Sequence, residues 1–263
     1  MSRTAPQSVI CLGVGDGYPS PDRSHAAFLY RLGEARLLVD CGEPATRALL
    51  QAGVHADELD HIFISHLHFD HLGGLFTLLQ GLWLAPRRQP LTVHLPAVGI
   101  RRVRELMRAA CLFDDWTPFP LTFHPLRVGK GIAVNGAVVT PLASSHLQVL
   151  QPAQGVRHPR LNQAFSFLLE TDRRRVAHSA DLGGLADLIG LTREPLDLLV
   201  CELSHLEPAE VFAHLAGKPI RRVAFVHLSN AQWRRRTQIE ARAARALRPI
   251  QVHVPSDGAR LDF

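Results

Sequence analysis

The sequence feature that most constrains the fold is a dense run of metal-ligand side chains in residues 65–74, which read SHLHFDHLGG. Four potential ligands stand close together: His66, His68, Asp70 and His71. The apolar residues before them predict a strand at His61–Ser65, and the helical periodicity after them predicts a helix at Gly73–Leu84. A turn between these elements can direct two histidines toward one metal ion and the Asp-His pair toward a second. The run therefore predicts a fold built around a binuclear metal site rather than histidines placed by chance.

Two metal ions need more ligands than one loop supplies, so further His or Asp residues are expected at later strand ends. His146 follows a predicted strand that ends at Leu142. Asp181 follows the predicted strand Arg175–Ser179, and His227 follows the predicted strand Val223–Val226. Each of these residues alone could be an ordinary polar side chain. Together with the four residues of the central run they complete the ligands of a binuclear site.

The order of the predicted elements indicates the fold class. A chain of 263 residues can form one large domain or two halves that pack together. Predicted strands cluster in each half, and helices follow them, including one at Ala231–Leu247. Ile250–Val254 is predicted as the closing strand. This order predicts two similar sheet-plus-helix halves packed sheet against sheet.

Composition excludes several other classes of protein. No stretch approaches the roughly 18 apolar residues that span a bilayer, and the first residues do not resemble a signal peptide, which predicts a cytoplasmic protein without membrane contact. The four cysteines are far apart and predict reduced, buried thiols rather than a disulfide framework or a zinc knuckle. The net charge of +5 favours anionic partners. The arginines are scattered without interleaved aromatic residues, which favours a solvated surface over a nucleic-acid interface.

The HxHxDH run with a lone His, Asp and His at later strand ends resembles the metallo-β-lactamase superfamily. The fold of that superfamily is an α+β four-layer αββα sandwich. Residues 12–20 (LGVGDGYPS), residues 40–43 (DCGE) and residues 257–260 (DGAR) are similar to the RNase Z-like phosphodiesterase branch. Because the resemblance covers nearly the whole chain, it implies a single metallo-β-lactamase-like hydrolase domain over residues 1–263.

The resemblance also implies the roles of the ligands. They are His66, His68 and His146 for the first ion, Asp70, His71 and His227 for the second, and Asp181 as the bridge between the two. Two such ions share a hydroxide that attacks the substrate, and Asp70 is expected to be catalytic by orienting it. A histidine-rich ligand set favours zinc, with manganese or iron as alternatives.

His205 favours a phosphodiester as the substrate. It stands 22 residues before His227, an offset at which RNase Z-like enzymes carry a further active-site histidine that assists at the scissile phosphate. The alternative is a surface histidine at the start of a helix. On the functional interpretation, the protein is a phosphodiesterase that acts on a small phosphodiester. A lactone, thioester or sulfate-ester hydrolase of the same fold, or a binding protein of low activity, remain alternatives because the metal ligands alone do not choose among them.

Substrate size follows from a departure from the family pattern. RNase Z-like enzymes that process tRNA precursors carry a protruding arm for the tRNA elbow, and only 34 residues separate His146 from Asp181. This spacing leaves no room for the arm, so a small anionic substrate is expected rather than a tRNA precursor. Residues 147–163 are predicted to form an irregular loop in the wall of the pocket.

Other residues have weaker assignments. Glu43 and Glu202 are candidates to hold the outer ring nitrogens of ligand histidines. The Gly13, Gly15, Gly17 run predicts a tight turn near the site entrance rather than a dinucleotide loop, because prolines follow where a phosphate-binding helix would begin. Four aromatic residues could form a lid, a homodimer contact or plain core, and core is the default expectation: Phe113, Trp116, Phe119 and Phe123.

Overall fold

The computed structural model of the protein describes residues 7–55, 57–148 and 163–263, which contain two seven-stranded sheets. The strands of the first sheet are β1 (Ser8–Gly13), β2 (Ala27–Leu32), β3 (Ala35–Cys41), β4 (His61–Phe63), β5 (Leu91–Leu95), β6 (Leu121–Pro125) and β14 (Ala259–Asp262). Those of the second sheet are β7 (Ile132–Val134), β8 (Ala137–Ser144), β9 (Ala164–Glu170), β10 (Arg175–His178), β11 (Leu198–Glu202), β12 (Arg222–Val226) and β13 (Gln251–His253).

The two sheets share one plan. The first has the order β14-β1-β2-β3-β4-β5-β6, antiparallel as far as β3 and parallel from β3 onward. The second has the order β13-β12-β11-β10-β9-β8-β7, with parallel pairs from β13 to β10 and antiparallel pairs beyond. Each sheet therefore presents the carboxyl ends of several parallel strands along one edge, where loops can collect functional side chains.

Helices cover both outer faces of the sandwich. Within the described residues, the helices that follow strands of the first sheet include α1 (Ala45–Gln51), α2 (Phe69–Leu72), α3 (Leu75–Leu84) and α4 (Ala97–Ala109). Those that follow strands of the second sheet include α5 (Asp187–Leu191), α6 (Pro208–Leu215), α7 (Asn230–Trp233) and α8 (Arg236–Ala246). This arrangement confirms the four-layer αββα sandwich predicted from the sequence.

Strand periodicity explains why the layers stack in this order. Successive side chains of a strand point to opposite faces of its sheet. In β3, Leu37 and Val39 belong to the core between the sheets, whereas Leu38 belongs to the core beneath the helices. Both faces of these strands are apolar, so each sheet needs a layer on either side. Phe63 and Phe167 meet between the sheets, with ring centroids 5.9 Å apart.

The predicted helix Gly73–Leu84 corresponds to α3, which ends at Leu84 as predicted and begins two residues later, at Leu75. A short unpredicted helix, α2, precedes it, so Asp70 and His71 lie on a helix, and the Gly73-Gly74 pair separates α2 from α3. The second glycine permits a close approach of α3 to β3, since a Cβ at Gly74 would stand 2.6 Å from the carbonyl oxygen of Gly42.

The predicted helix Ala231–Leu247 is divided in the structure. A capping box between Ser229 and Gln232 starts α7 early, and α8 begins separately at Arg236. Nor does Ile250–Val254 close the fold, because β14 follows it and pairs with β1 in the first sheet. The sequence analysis also missed α5, a helix of one turn.

Smaller expectations have mixed outcomes. Cys11, Cys41 and Cys201 are buried free thiols as predicted, but Cys111 is exposed at the end of α4. Phe119 packs in the core, whereas Trp116 is 63% exposed. Among the described residues no helix is long and apolar enough to cross a membrane. The predicted loop at 147–163 lies outside the described residues over positions 149–162.

Phe167, in the core between the sheets, is expected to contribute strongly to the free energy of unfolding. Phe167→Ala is expected to lower the free energy of unfolding by about 3–5 kcal/mol, because Phe167 is fully buried against both sheets and its removal leaves a cavity. Leu106→Ala, on the exposed face of α4, is the control and is expected to change it by less than about 0.5 kcal/mol. Urea unfolding followed by circular dichroism measures both. Equal effects of the two substitutions would contradict this view of the core.

Candidate metal centre

A group of His and Asp side chains gathers where the carboxyl ends of strands from both sheets meet. The central run follows β4 in the first sheet. From the second sheet, His146 follows β8, Asp181 follows β10, and His227 follows β12. The amide nitrogen of Phe165, in β9, donates to the carbonyl oxygen of Ser65 at 3.0 Å and ties the two sheets together beside the run. The candidate centre is therefore assembled from both halves of the sandwich.

The side chains form two overlapping sets in which every ligand atom lies within 4.8 Å of the others. The first set is His66, His68, His146 and Asp181, and the second is Asp70, His71, Asp181 and His227. Asp181 is the member that they share. The structure thus brings together all seven residues predicted from the sequence, in the two groups that the resemblance implied.

The carboxylate of Asp181 faces both sets at once. Its Oδ2 lies 3.6 Å from His66 Nε2 and 3.5 Å from His146 Nε2. Its Oδ1 lies 3.2 Å from His71 Nε2 and 3.5 Å from His227 Nε2. On the side of the second set, Asp70 Oδ2 lies 3.4 Å from His71 Nε2 and 3.3 Å from His227 Nε2. A carboxylate with one oxygen toward each group is suited to bridge two cations.

The outer nitrogens of three of these histidines are held by neighbouring side chains. His71 Nδ1 lies 2.7 Å from Asp40 Oδ2, which also accepts a hydrogen bond from the Ser65 hydroxyl at 2.9 Å. That hydroxyl lies 3.0 Å from His66 Nδ1, and the Ser204 hydroxyl lies 2.8 Å from His227 Nδ1. Contacts of this kind fix a ring and direct its other nitrogen toward a metal.

Asp187 positions the two loops of the second sheet that carry His146 and Asp181. Its Oδ2 accepts hydrogen bonds from the backbone nitrogen of Ser145 at 3.0 Å, from the Ser145 hydroxyl at 2.9 Å and from the backbone nitrogen of Gly183 at 2.8 Å. The two loops pack too closely for a side chain at Gly183, where a Cβ would lie 2.7 Å from the amide nitrogen of His146.

Backbone strain is concentrated around the same centre. Asp40, Ala180 and His227 have positive φ values of 57°, 46° and 52°. This left-handed region is unfavourable for residues other than glycine and persists where surrounding contacts impose it. The amide nitrogen of His227 donates to the carbonyl oxygen of Val14 at 2.9 Å, so the glycine-rich loop helps to hold that turn. Gly17 of that loop lies beside Asp70 and lines the cavity over the centre, in agreement with the turn predicted near the site entrance.

The donor set fits divalent transition metals. His66 Nε2, His71 Nε2 and Asp181 Oδ1 are buried and have no hydrogen-bond partner among the described residues. Buried polar atoms are rarely left in this state, and an ion is one way to satisfy them. Imidazole and carboxylate are established ligands of zinc, manganese and iron. The His/Asp sets are consistent with a binuclear metal site.

Burial and charge set the protonation of the ligand side chains. Burial lowers the pKa of His66 well below its usual value, and burial lowers the pKa of His146 to about 4. Burial would raise the pKa of Asp181, but the nearby His227 and His71 hold it well below the usual range. Asp70 follows the same pattern, with its pKa lowered by the hydrogen bond from His227 and by the nearby charge of His71. These shifts favour neutral His66 and His146 beside ionised carboxylates, the protonation states that bind metal. Burial would lower the pKa of His71 and of His227, but the carboxylate of Asp181 raises both, so these two histidines would release a proton when an ion binds.

His205 lies at the mouth of the centre, outside the two sets. Its Nδ1 is 2.9 Å from Glu202 Oε1, and its ring centroid is 4.6 Å from that of His146 and 5.6 Å from that of His227. Burial lowers the pKa of His205, but the hydrogen bond and charge of Glu202 outweigh burial and raise this pKa to about 9. His205 therefore carries a positive charge at neutral pH, and 28% of its side chain is accessible.

Glu202, His205 and His227 form a third group of candidate ligand atoms within 4.8 Å of one another. In this group Glu202 already accepts hydrogen bonds from the backbone nitrogens of Leu182, at 2.9 Å, and His205, at 3.1 Å. Glu202 is predicted to hold a ligand histidine, but its Oε1 instead contacts Nδ1 of His205, which lies outside the two sets. The role predicted for Glu43 is wrong, because Glu43 lines a separate surface cavity beside α1 and Asp40 holds His71 instead.

Asp40, Ser204 and Asp187 have no role in the predictions from the sequence. The signal that marks Asp40 is an acidic residue at the end of an apolar strand. Ser204 and Asp187 carry no comparable signal, because their hydrogen bonds depend on loops brought together by the fold. Asp16 and Ser229 also line the cavity over the centre, which has a volume of about 290 Å³.

Comparison with known proteins gives matches of two kinds. Residues 35–252 match the family model described as "Beta-lactamase superfamily domain". Ribonuclease BN of Citrobacter koseri is 38% identical over 142 residues, which are 52% of this chain and 46% of that protein. The chain spans about half the length of the curated relatives it matches.

Solved structures show the same fold. The metallo-beta-lactamase fold protein YhfI from Bacillus subtilis superposes with a TM-score of 0.78 at 17% identity, covering 98% of this chain and 100% of that one. The short form of human tRNase Z superposes with a TM-score of 0.72 at 19% identity, covering 97% and 98%. These likenesses concern the fold alone, because the identities are low.

The centre is expected to bind about two divalent ions per chain, and Asp181→Ala is expected to lower the bound metal sharply because both sets lose the carboxylate they share. Elemental analysis after purification without chelator measures the content. Asp172→Ala, whose side chain is 79% exposed, is the control and is expected to keep the full content. No metal in the wild type, together with no uptake of zinc or manganese on reconstitution, would contradict the binuclear interpretation.

Proposed function

The chain belongs to the metallo-β-lactamase superfamily, and on that premise we propose that it is a metal-dependent hydrolase that cleaves a small phosphodiester. The observation that carries the choice of a phosphodiester is His205. This charged imidazole faces the cavity over the two ligand sets and is fixed by Glu202. Hydrolysis of an activated ester needs no such cation beside the leaving group, whereas a phosphodiester has both an anionic centre and a poor leaving oxygen.

Seven side chains would hold the metal ions. His66, His68 and His146 would hold the first ion, Asp70, His71 and His227 the second, and Asp181 both. When bound, two such ions activate a water molecule as the nucleophile and neutralise charge on the phosphate. Zinc suits the histidine-rich ligand set, with manganese and iron as alternatives.

The protein's own groups orient and protonate the substrate. Because Glu202 occupies Nδ1 of His205, Nε2 remains for an oxygen of the substrate. From there the imidazolium can stabilise the developing negative charge and donate a proton to the leaving oxygen. Asp70, which contacts His71 and His227, would accept a hydrogen bond from the attacking water.

The test of this role is His205→Ala. Turnover of a diester with an unactivated leaving group, the dinucleotide TpT, is expected to fall about 10²–10⁴-fold, the range for loss of a general acid, while metal content stays unchanged. Steady-state kinetics and elemental analysis on the same preparation give both values. His55→Ala, at an exposed loop position, is the matched control and is expected to retain wild-type turnover.

Two outcomes would contradict the role of His205. Loss of metal in parallel with activity would make His205 a ligand, as its place in the third group of candidate ligands allows. Unchanged turnover on every diester tested would make it a surface residue and would remove the main support for a phosphodiester substrate.

We also propose that tRNA precursors are poor substrates, although ribonucleases are among the relatives. Only 34 residues connect His146 with Asp181, which leaves no length for an arm that grips tRNA. The protein is expected to cleave a tRNA precursor no faster than another structured RNA of equal length. Cleavage of both RNAs, with products resolved on denaturing gels, measures this, and efficient processing at one 3′ position would refute it.

A further inference from the structure

A second cavity, of about 460 Å³, opens beside His205. It shares three lining residues with the cavity over the metal centre: Ser204, His205 and Ser229. Its volume lies in the range of roughly 300–1,000 Å³ that is typical of small-molecule pockets. A substrate held at the metal centre can therefore extend past His205 into this space.

Two arginines line the cavity at its α8 side. Arg235 precedes α8, and Arg242 lies within it. Within the described part of the chain, neither guanidinium makes an ion pair or a side-chain hydrogen bond, whereas Arg104 and Arg174 pair with Asp114 and Asp197. Glu207 is the one carboxylate on the lining, so the two arginines leave it net positive.

The rest of the lining is mixed. Phe212 of α6 and Ile239 of α8 are buried and line the cavity, and Gln232 and Gln238 add amide groups. Apolar side chains and amides beside two unpaired guanidiniums suit a group that carries both carbon and a phosphate, because arginine binds phosphate oxygens in a bidentate manner.

We propose that this cavity binds a second phosphate, carried by the leaving side of the substrate and held by Arg235 and Arg242. The inference depends on the proposed function, because His205 defines the leaving side. It specifies the substrate class as a nucleotide-like diester with a further phosphate on the leaving group, rather than a diester with a single charge.

Three matched substrates test the proposal with the metal-loaded enzyme: the dinucleotide TpT, and the same dinucleotide with an additional 5′ phosphate or an additional 3′ phosphate. One of the two phosphorylated forms is expected to exceed TpT by about tenfold in kcat/KM, mainly through a lower KM. The preference is expected to shrink in high salt, since exposed charges are screened. Equal kcat/KM for all three dinucleotides would overturn the proposal.

Arginine variants assign the preference to the cavity. Arg235→Gln and Arg242→Gln are each expected to reduce the ratio of kcat/KM between the preferred phosphorylated dinucleotide and TpT. Arg245→Gln is the control, because Arg245 is exposed on the same helix but does not line the cavity. A ratio that is unaltered in both cavity variants would overturn the assignment to these arginines.

A binding measurement separates this inference from the proposed function. Calorimetry with metal-loaded protein is expected to show that thymidine 3′,5′-bisphosphate binds about tenfold more tightly than either thymidine monophosphate. Arg242→Gln is expected to remove that difference. If no diester is cleaved, the proposed function fails, and the calorimetric result still shows whether the cavity binds a second phosphate. If bis(p-nitrophenyl) phosphate is cleaved but the bisphosphate gains no affinity, this inference alone fails.

Discussion

The carboxylate of Asp181 is the interaction on which the centre depends. It is buried, and a buried carboxylate is costly unless its charge is compensated. The compensation comes from the imidazoles of His71 and His227, which lie 3.2 Å and 3.5 Å from Oδ1 and belong to different loops. Those loops belong to different sheets, so the ionised state of this one group requires both halves of the sandwich to be packed. The geometry of the centre therefore depends on the packing of the two sheets.

The outer contacts of the histidines explain why the inner atoms remain available. Asp40 occupies the outer nitrogen of His71, and Ser204 occupies that of His227. Each contact leaves one ring nitrogen facing the centre. The positive φ values at Asp40 and His227 are the conformational cost of this arrangement, and hydrogen bonds from Ser65 and to Val14 hold the two residues in place. Side chains that touch no substrate thus determine what the centre can bind.

The sequence predicted the sandwich and the seven clustered residues because these depend on local signals. Apolar periodicity marks the strands, and ligand residues at strand ends mark the centre. Predictions from the sequence were wrong where contacts between distant segments determine the local structure. The short helix α2, which carries Asp70 and His71, has no counterpart in the prediction, and Gly74 lies where α3 closely approaches Gly42. The support from Asp187 and the cavity beside Arg235 were also beyond prediction, since both arise between segments distant in sequence.

The last strand has a consequence for how the protein is made. β14 completes the first sheet beside β1, and Asp257 just before it accepts hydrogen bonds from the amide nitrogens of Val14 and Ser24 in the glycine-rich loop. All other described strands leave the ribosome before β14 does. Until residues 257–262 emerge, one edge of β1 has no partner and the loop beside Asp70 lacks its anchor. Exposed strand edges are templates for aggregation. Until β14 is synthesised, the nascent chain therefore carries an open edge at β1.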